Sequence, residues 1–390
     1  MNSIFRCFVY LVSLDILLMP LGSVLGASGQ GDIFYHLFKI PLVLIFLLCL
    51  IFSLYKFRLF SISYLFLGLI FSGALVGILN NGLSFKTVSH LYSYTLPVLG
   101  VSFGYYIAKY ANQKTIRLAN SAIKFTTFVL SLILSIYFLL YQLGVIIYFG
   151  MASKIYYSFA YYLSLNKIPA ILYLVGMSFF GGKRTILIAF TVQCFLKGMS
   201  LDRLRNSIFV LITFIFVIIL SVYIGLADRV LNVLTYDLTT YEGLYYATSG
   251  RSAEVFTIFN ILRDDIGSLL FGRGFGSTYS FQTLGSQSYT YTTHFVHFTP
   301  LYYAFVSGVI ACFLIYIYIF NLYYRTRHFS QNVFYLLSFS MFSISFLGAI
   351  PAIDIQFWIL IGILEQLYRR PIKVNIDNKQ LNQQILLARS

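Results

Sequence analysis

The chain has 390 residues, of which 59% are hydrophobic and 10% charged, and its mean hydropathy is +0.82. Soluble domains carry roughly 25% charged residues, so the composition argues against a soluble globular fold. The net charge of +15 does not point to nucleic acid either, because the basic residues fall in short polar gaps between apolar runs.

Those gaps hold Lys56 and Arg58, then Lys109, Lys114, Arg117 and Lys124, then Lys197, Arg203 and Arg205. Arg325 and Arg327 follow, then Arg369, Arg370 and Lys373. Basic loops of this kind stay on the cytoplasmic side of a membrane. The apolar runs approach the ~20 residues that cross a bilayer, and they are continuous rather than alternating, which selects helices over barrel strands. The expected fold class is all-α, a polytopic helical membrane protein with about 10–12 transmembrane helices and one large external loop containing short helices.

Taken in order, the run 5–25 has Arg6 near its start and is followed by small residues, like a signal peptide, but Asp15 interrupts it. It reads as an uncleaved first helix. Further spans are expected at 38–55, 59–79, 90–108 and 125–143. Between 144 and 197 the runs are short. Twelve spans result if 145–165 crosses despite Lys154 and if 168–182 and 185–196 cross separately; ten result if 168–197 is one broken crossing. The first reading is preferred, and it puts Lys183 and Arg184 on the external face, against the positive-inside trend.

After a span at 207–226, residues 228–298 form the external loop, slightly acidic in a basic chain. Spans at 299–321, 333–350 and 355–368 lead to a polar cytoplasmic tail, 369–390. The organisation is thus 1–227 helical and membrane-spanning, 228–298 external, 299–368 membrane-spanning again, then the tail. Cys7, Cys49, Cys194 and Cys312 lack metal-ligand spacing and read as small core residues.

Within the loop, Val255, Ile258, Phe259 and Leu262 recur at helical spacing, predicting one helix on or near the membrane that Gly272 ends. "GRGFGS" is neither a dinucleotide fingerprint nor a phosphate loop. It reads either as a tight turn whose amides and Arg273 face an anion, or as a turn that simply needs positive φ. Arg251 has Glu254 three residues on, the spacing of an exposed helical ion pair. The alternative is a grip on phosphate by the guanidinium groups of Arg184 and Arg251. His294 and His297 are interfacial polar groups or, for one of them, a general base; no cluster has zinc spacing.

These pieces together resemble the bacterial O-antigen polymerases and O-antigen ligases. "GGKRT" is similar to their basic signature between two spans. "SGRSAEVFTIFNIL" and "SLLFGRGFGS" are similar to their periplasmic loop. "HFTPLYYAFVSGVIACFLIYIY" resembles their His-Asn stretch, with His297 and Gly308 at the family's spacing and Phe298 in place of the Asn. The resemblance covers roughly 168–321.

It implies a metal-independent, cofactor-free glycosyl transfer at the periplasmic face of the bacterial inner membrane, with an undecaprenyl-diphosphate-linked oligosaccharide as donor. Arg184, Arg251 and Arg273 would hold the diphosphate, and His297 would act as base or position the acceptor. Glu254, Gly274, Gly276, His294 and Tyr291 would contribute sugar or loop contacts. Tyr236, Tyr241, Tyr245, Tyr246, Tyr289 and Tyr291 would stack on sugars or form an interfacial belt. Membrane lipids and a chain-length-regulating membrane protein are the implied partners, and nucleic acid is not. The expected function is polymerisation of repeat units into a surface polysaccharide. Two alternatives stay open: transfer of the finished chain to lipid A core, and transport of lipid-linked sugars, which Asp15, Lys39 and Lys154 in or near spans keep in play.

Overall fold

A computed structural model describes residues 2–27, 40–111, 113–142, 156–165, 167, 170–171, 174, 189–190, 192–193, 196, 236–248, 250–284, 289–330, 332–346 and 354–369. Helices dominate. Among the described residues, six helices precede the long hydrophilic segment: α1 (Asn2–Ala27), α2 (Ile40–Tyr55), α3 (Ser61–Asn81), α4 (Phe85–Tyr110), α5 (Gln113–Gln142) and α6 (Tyr156–Ser164). That segment holds α7 (Tyr241–Ala247), α8 (Arg251–Arg263), α9 (Ile266–Phe271) and a hairpin of β1 (Tyr279–Gln282) and β2 (Thr290–Thr293). Then come α10 (Thr299–Thr326), α11 (Val333–Ile344) and α12 (Ile355–Arg369). The spans expected at 185–196 and 207–226 lie largely or wholly outside the described residues.

Among the described residues, two helices are long and apolar enough to cross a membrane: α3, and α10 with the 3-10 turn that follows it, Thr299–Phe329. Helices α2 and α11 are apolar but shorter. Helix α4 starts at Phe85 rather than at the expected 90, because Ser84 and Thr87 form a capping box: Ser84 Oγ accepts from Thr87 N, and Thr87 Oγ1 from Ser84 N, both at 3.3 Å. This adds Lys86 and Ser89 to its first turns, ahead of His90.

Helices α4 and α12 form the centre of the core. Their backbones meet at glycines: a Cβ on Gly104 would collide with Ile359 O, and one on Gly362 with Val101 O. Small residues at such crossings let helices approach closely, and here they seat Trp358 fully buried beside Phe66 and Phe357. Asp15, buried in α1, accepts from Gln356 Nε2 at 2.8 Å, and Gln356 Oε1 in turn accepts from Tyr157 OH. That network ties α1 and α6 to the start of α12, so the carboxylate interrupting the first apolar run is a helix–helix contact.

Arg58, Arg325 and Arg369 gather at one end of the bundle. Arg58 donates to Tyr105 OH at 2.6 Å, Arg325 to Tyr368 OH at 2.9 Å, and Arg369 lies over the Phe60 ring. The hydrophilic segment caps the other end, where Asn81 Nδ2 donates to the carbonyls of Arg273 and Phe275.

Helix α10 is not continuous. Gly308 has φ 86° and ψ 162°, which breaks the helix after Ser307. A break leaves carbonyls without their usual amides, a cost that is heavy where water is absent. Here the glycine-rich turn supplies the donors: Arg273 N reaches Phe305 O at 2.9 Å and Gly274 N reaches Val306 O at 3.0 Å.

Candidate functional site

The turn "GRGFGS" is buried structure. Gly272, Gly274 and Gly276 all have positive φ, and all are buried between α3, α4 and α10. Besides the two amides already placed, Phe275 N donates to Gly73 O at 2.9 Å and Gly276 N to His90 Nδ1 at 3.0 Å. The reading in which these amides face an anion is therefore corrected: all four have protein acceptors. Gly274 and Gly276 pack closely on helices, since a Cβ on Gly274 would lie 2.5 Å from Gly77 N and one on Gly276 2.6 Å from Thr87 Oγ1. Phe275 fills the remaining space, its ring 5.0 Å from Tyr94.

His90 was not among the residues singled out in the sequence, where it sits inside an apolar run. Its Nδ1 accepts from Gly276, so its Nε2 carries the proton and donates to His294 O at 3.1 Å. One buried imidazole thus joins the glycine turn to the strand leading into α10. Replacing His90 with Ala leaves a buried amide and a buried carbonyl unpaired, for an expected loss of about 2–4 kcal/mol. Thermal unfolding of the purified variant checks this.

Residues 294–297 are held at each step. The Tyr279 hydroxyl donates to Phe295 O at 2.7 Å. Burial raises the Tyr279 pKa, and the neighbouring Glu254 carboxylate raises it further, so the phenol stays protonated. Glu254 then takes both donors of one residue: His297 N reaches Oε2 at 3.2 Å, and His297 Nδ1 lies 2.8 Å from Oε1. The carboxylate side chain is only 6% exposed while the histidine ring is 54% exposed.

This geometry is able to orient a base. A carboxylate is acceptor-only, so Nδ1 must carry a proton, and Nε2 is the ring nitrogen left for a substrate. The carboxylate also stabilises an imidazolium once Nε2 takes a proton, as in the carboxylate–histidine pairs of hydrolases. Helix α8 places Arg251 one turn before Glu254, with its side chain half-buried. The helix that holds the carboxylate therefore also brings a guanidinium towards the same region.

The other histidine points elsewhere. His294 Nε2 is 3.2 Å from Ser89 Oγ, and its ring packs against His90. Burial lowers its pKa and Lys86 lowers it further, which keeps it neutral. Arg273 is exposed at the rim beside Asp265, whose pKa is depressed mainly by the Ser268 hydroxyl and only slightly by Arg273. Tyr291 lies exposed on β2 against Phe281, Tyr236 stacks on Tyr246, and Tyr241 meets Phe256. Arg184, Lys39 and Lys154 lie outside the described residues. Among the described residues, no group of three or more His, Cys, Asp or Glu side chains could hold a metal ion.

The single helix expected over 251–271 is two. Asp265 caps a new helix, its Oδ1 accepting from Gly267 N at 2.9 Å, so the chain turns at Asp264 and Asp265. Sequence reasoning also had no signal for Tyr279, whose hydroxyl donates to a carbonyl 16 positions away. No protein-family model, curated protein or solved structure matches this chain.

Proposed function

We propose that this chain is a polytopic membrane glycosyltransferase that polymerises polyprenyl-diphosphate-linked oligosaccharide repeat units at the outer face of a bacterial inner membrane. The observation that carries the reading is the Glu254–His297 pair, with Arg251 on the same helix, at the end of the bundle opposite the basic residues. Positive-inside topology puts that end outside the cytoplasm. The order of motifs shared with O-antigen polymerases and ligases supports the same chemistry. Exposed apolar residues along α3 and α10, such as Phe71, Leu79, Phe313 and Phe320, suit helices surrounded by lipid.

In this reading His297 Nε2 takes the proton of an acceptor hydroxyl as that oxygen attacks the anomeric carbon of the donor sugar. The bond from that carbon to the diphosphate oxygen breaks, and the lipid diphosphate leaves with its electron pair. Arg251, Arg273 and Arg184 are the residues assigned to its charge.

Deleting the gene in its source bacterium tests the reading. Surface glycan that ends after a single repeat unit is expected. Bare core with long chains accumulating on the polyprenyl carrier would instead identify a ligase. Single lipid-linked units trapped on the cytoplasmic side would point to transport and overturn the transferase reading.

A further inference from the structure

Helix α9 has six residues and no buried side chain. Ile266 is 73% exposed and Phe271 69%, with Leu270 also exposed, an arrangement that water disfavours. Yet this short helix is firmly placed. A Cβ on Gly308 would collide with Leu270 O, and one on Gly272 with Ser307 N and Val306. The end of α9 therefore lies against the break in α10.

Below that break, the outward side chains of α10 are Val309, Ile310 and Phe313, all exposed on a helix long and apolar enough to cross a membrane. The apolar face of α9 thus continues the face of α10 without a polar boundary. Depth agrees. The turn after α9 packs against Val76 and Gly77, four to five residues before Asn81 ends α3, which is about 6–8 Å of helix. Interfacial helices bury their apolar face about 5–10 Å into the boundary between headgroups and acyl chains. Charged Arg263, Asp264 and Asp265 precede α9 and Arg273 follows it, so polar anchors flank the apolar turn.

We propose that α9 inserts into the outer leaflet, with Ile266, Leu270 and Phe271 in contact with the acyl chains of bilayer lipids. The segment between the catalytic helix α8 and the glycine turn is then a membrane-seated lip, and the Glu254–His297 pair stands at headgroup level beside it. This rests on the membrane-spanning part of the proposed function and not on its chemistry.

The full chain reconstituted in phosphatidylglycerol–phosphatidylethanolamine vesicles provides the test. Trp358, the sole tryptophan, is fully buried, and its emission in the parent protein is the background to subtract. In Phe271→Trp, and separately in Ile266→Trp, lipids brominated on the upper acyl chain should lower the added emission about twofold, with iodide in the water leaving it unchanged. Quenching by iodide, or by neither agent, overturns the proposal, since α9 would face water or protein. Acyl-linked diazirine lipids applied to the unsubstituted chain supply a second readout: label on the 266–271 peptide is expected, and its absence overturns the proposal independently of the variants. A parent chain that fails to float with vesicles would overturn the membrane reading itself.

Discussion

His297→Ala should lower the rate of chain extension by roughly 10²–10⁴-fold, the usual worth of a positioned general base, with little change in thermal stability. Its ring is more than half exposed, so little packing is lost with it. Glu254→Gln is the more telling variant. The carboxylate accepts from two N–H groups of His297, and an amide turns one of those contacts into donor facing donor. The ring is then free to carry its proton on Nε2, where it cannot act as base. A loss of about 10²-fold or more in kcat is expected, with KM for the lipid-linked donor nearly constant.

Purified enzyme, a defined lipid-linked donor and electrophoretic counting of added units would measure both. A His297→Ala enzyme within twofold of the parent would remove the base assignment. Raised KM at unchanged kcat in Glu254→Gln would make that carboxylate a binding group instead.

The second large effect concerns the glycine turn and the break it serves. Gly308→Ala sets a side chain in the left-handed region and against Leu270 O, and Gly274→Ala does the same against the backbone of α3. Each should cost about 3 kcal/mol or more, because strain and overlap with backbone add and neither neighbour can move as a side chain would. Lost donation from Arg273 and Gly274 to α10 would compound this by leaving two buried carbonyls unpaired. Gly68→Ala is the control, as nothing lies within 4 Å of a Cβ there. In the middle of a helix that change should be neutral or stabilising by up to ~1 kcal/mol. Unfolding midpoints of the three variants in one detergent give the comparison. A Gly308→Ala chain as stable as Gly68→Ala would mean that the break in α10 is not held by the turn.

The helices were legible because the property that makes them is local. Residues 40–55 and 61–81 are rich in leucine, isoleucine and phenylalanine and hold no charged residue, and such a run satisfies its own backbone in lipid only as a helix. The end of α9 was legible for the same reason, as Gly272 is an available residue with positive φ where the apolar pattern stops. The break inside α10 was not. "FVSGVIACF" is as apolar as any continuous span, and Gly308 breaks it only because amides from Arg273 and Gly274 arrive to take the released carbonyls. Nor was the hairpin, whose strands of four residues are too short for alternation to stand out.

At the site the division is sharper. Composition and the spacing of basic residues already imply a membrane-associated helical chain, one basic end and one long polar segment at the opposite end, since partition into lipid and helix formation depend on neighbours in sequence. Arg251, Glu254 and His297 stood out as polar groups in an apolar chain, but spacing alone gave Glu254 to Arg251. The fold gives it to His297, 43 residues away, and gives the amide of Gly276 to His90 across 186 residues. Both contacts depend on how α4, α8 and the strand before α10 pack together. Hydrogen bonds reach only about 3 Å, so the partner of a buried polar group is chosen by that packing, and no local pattern records it.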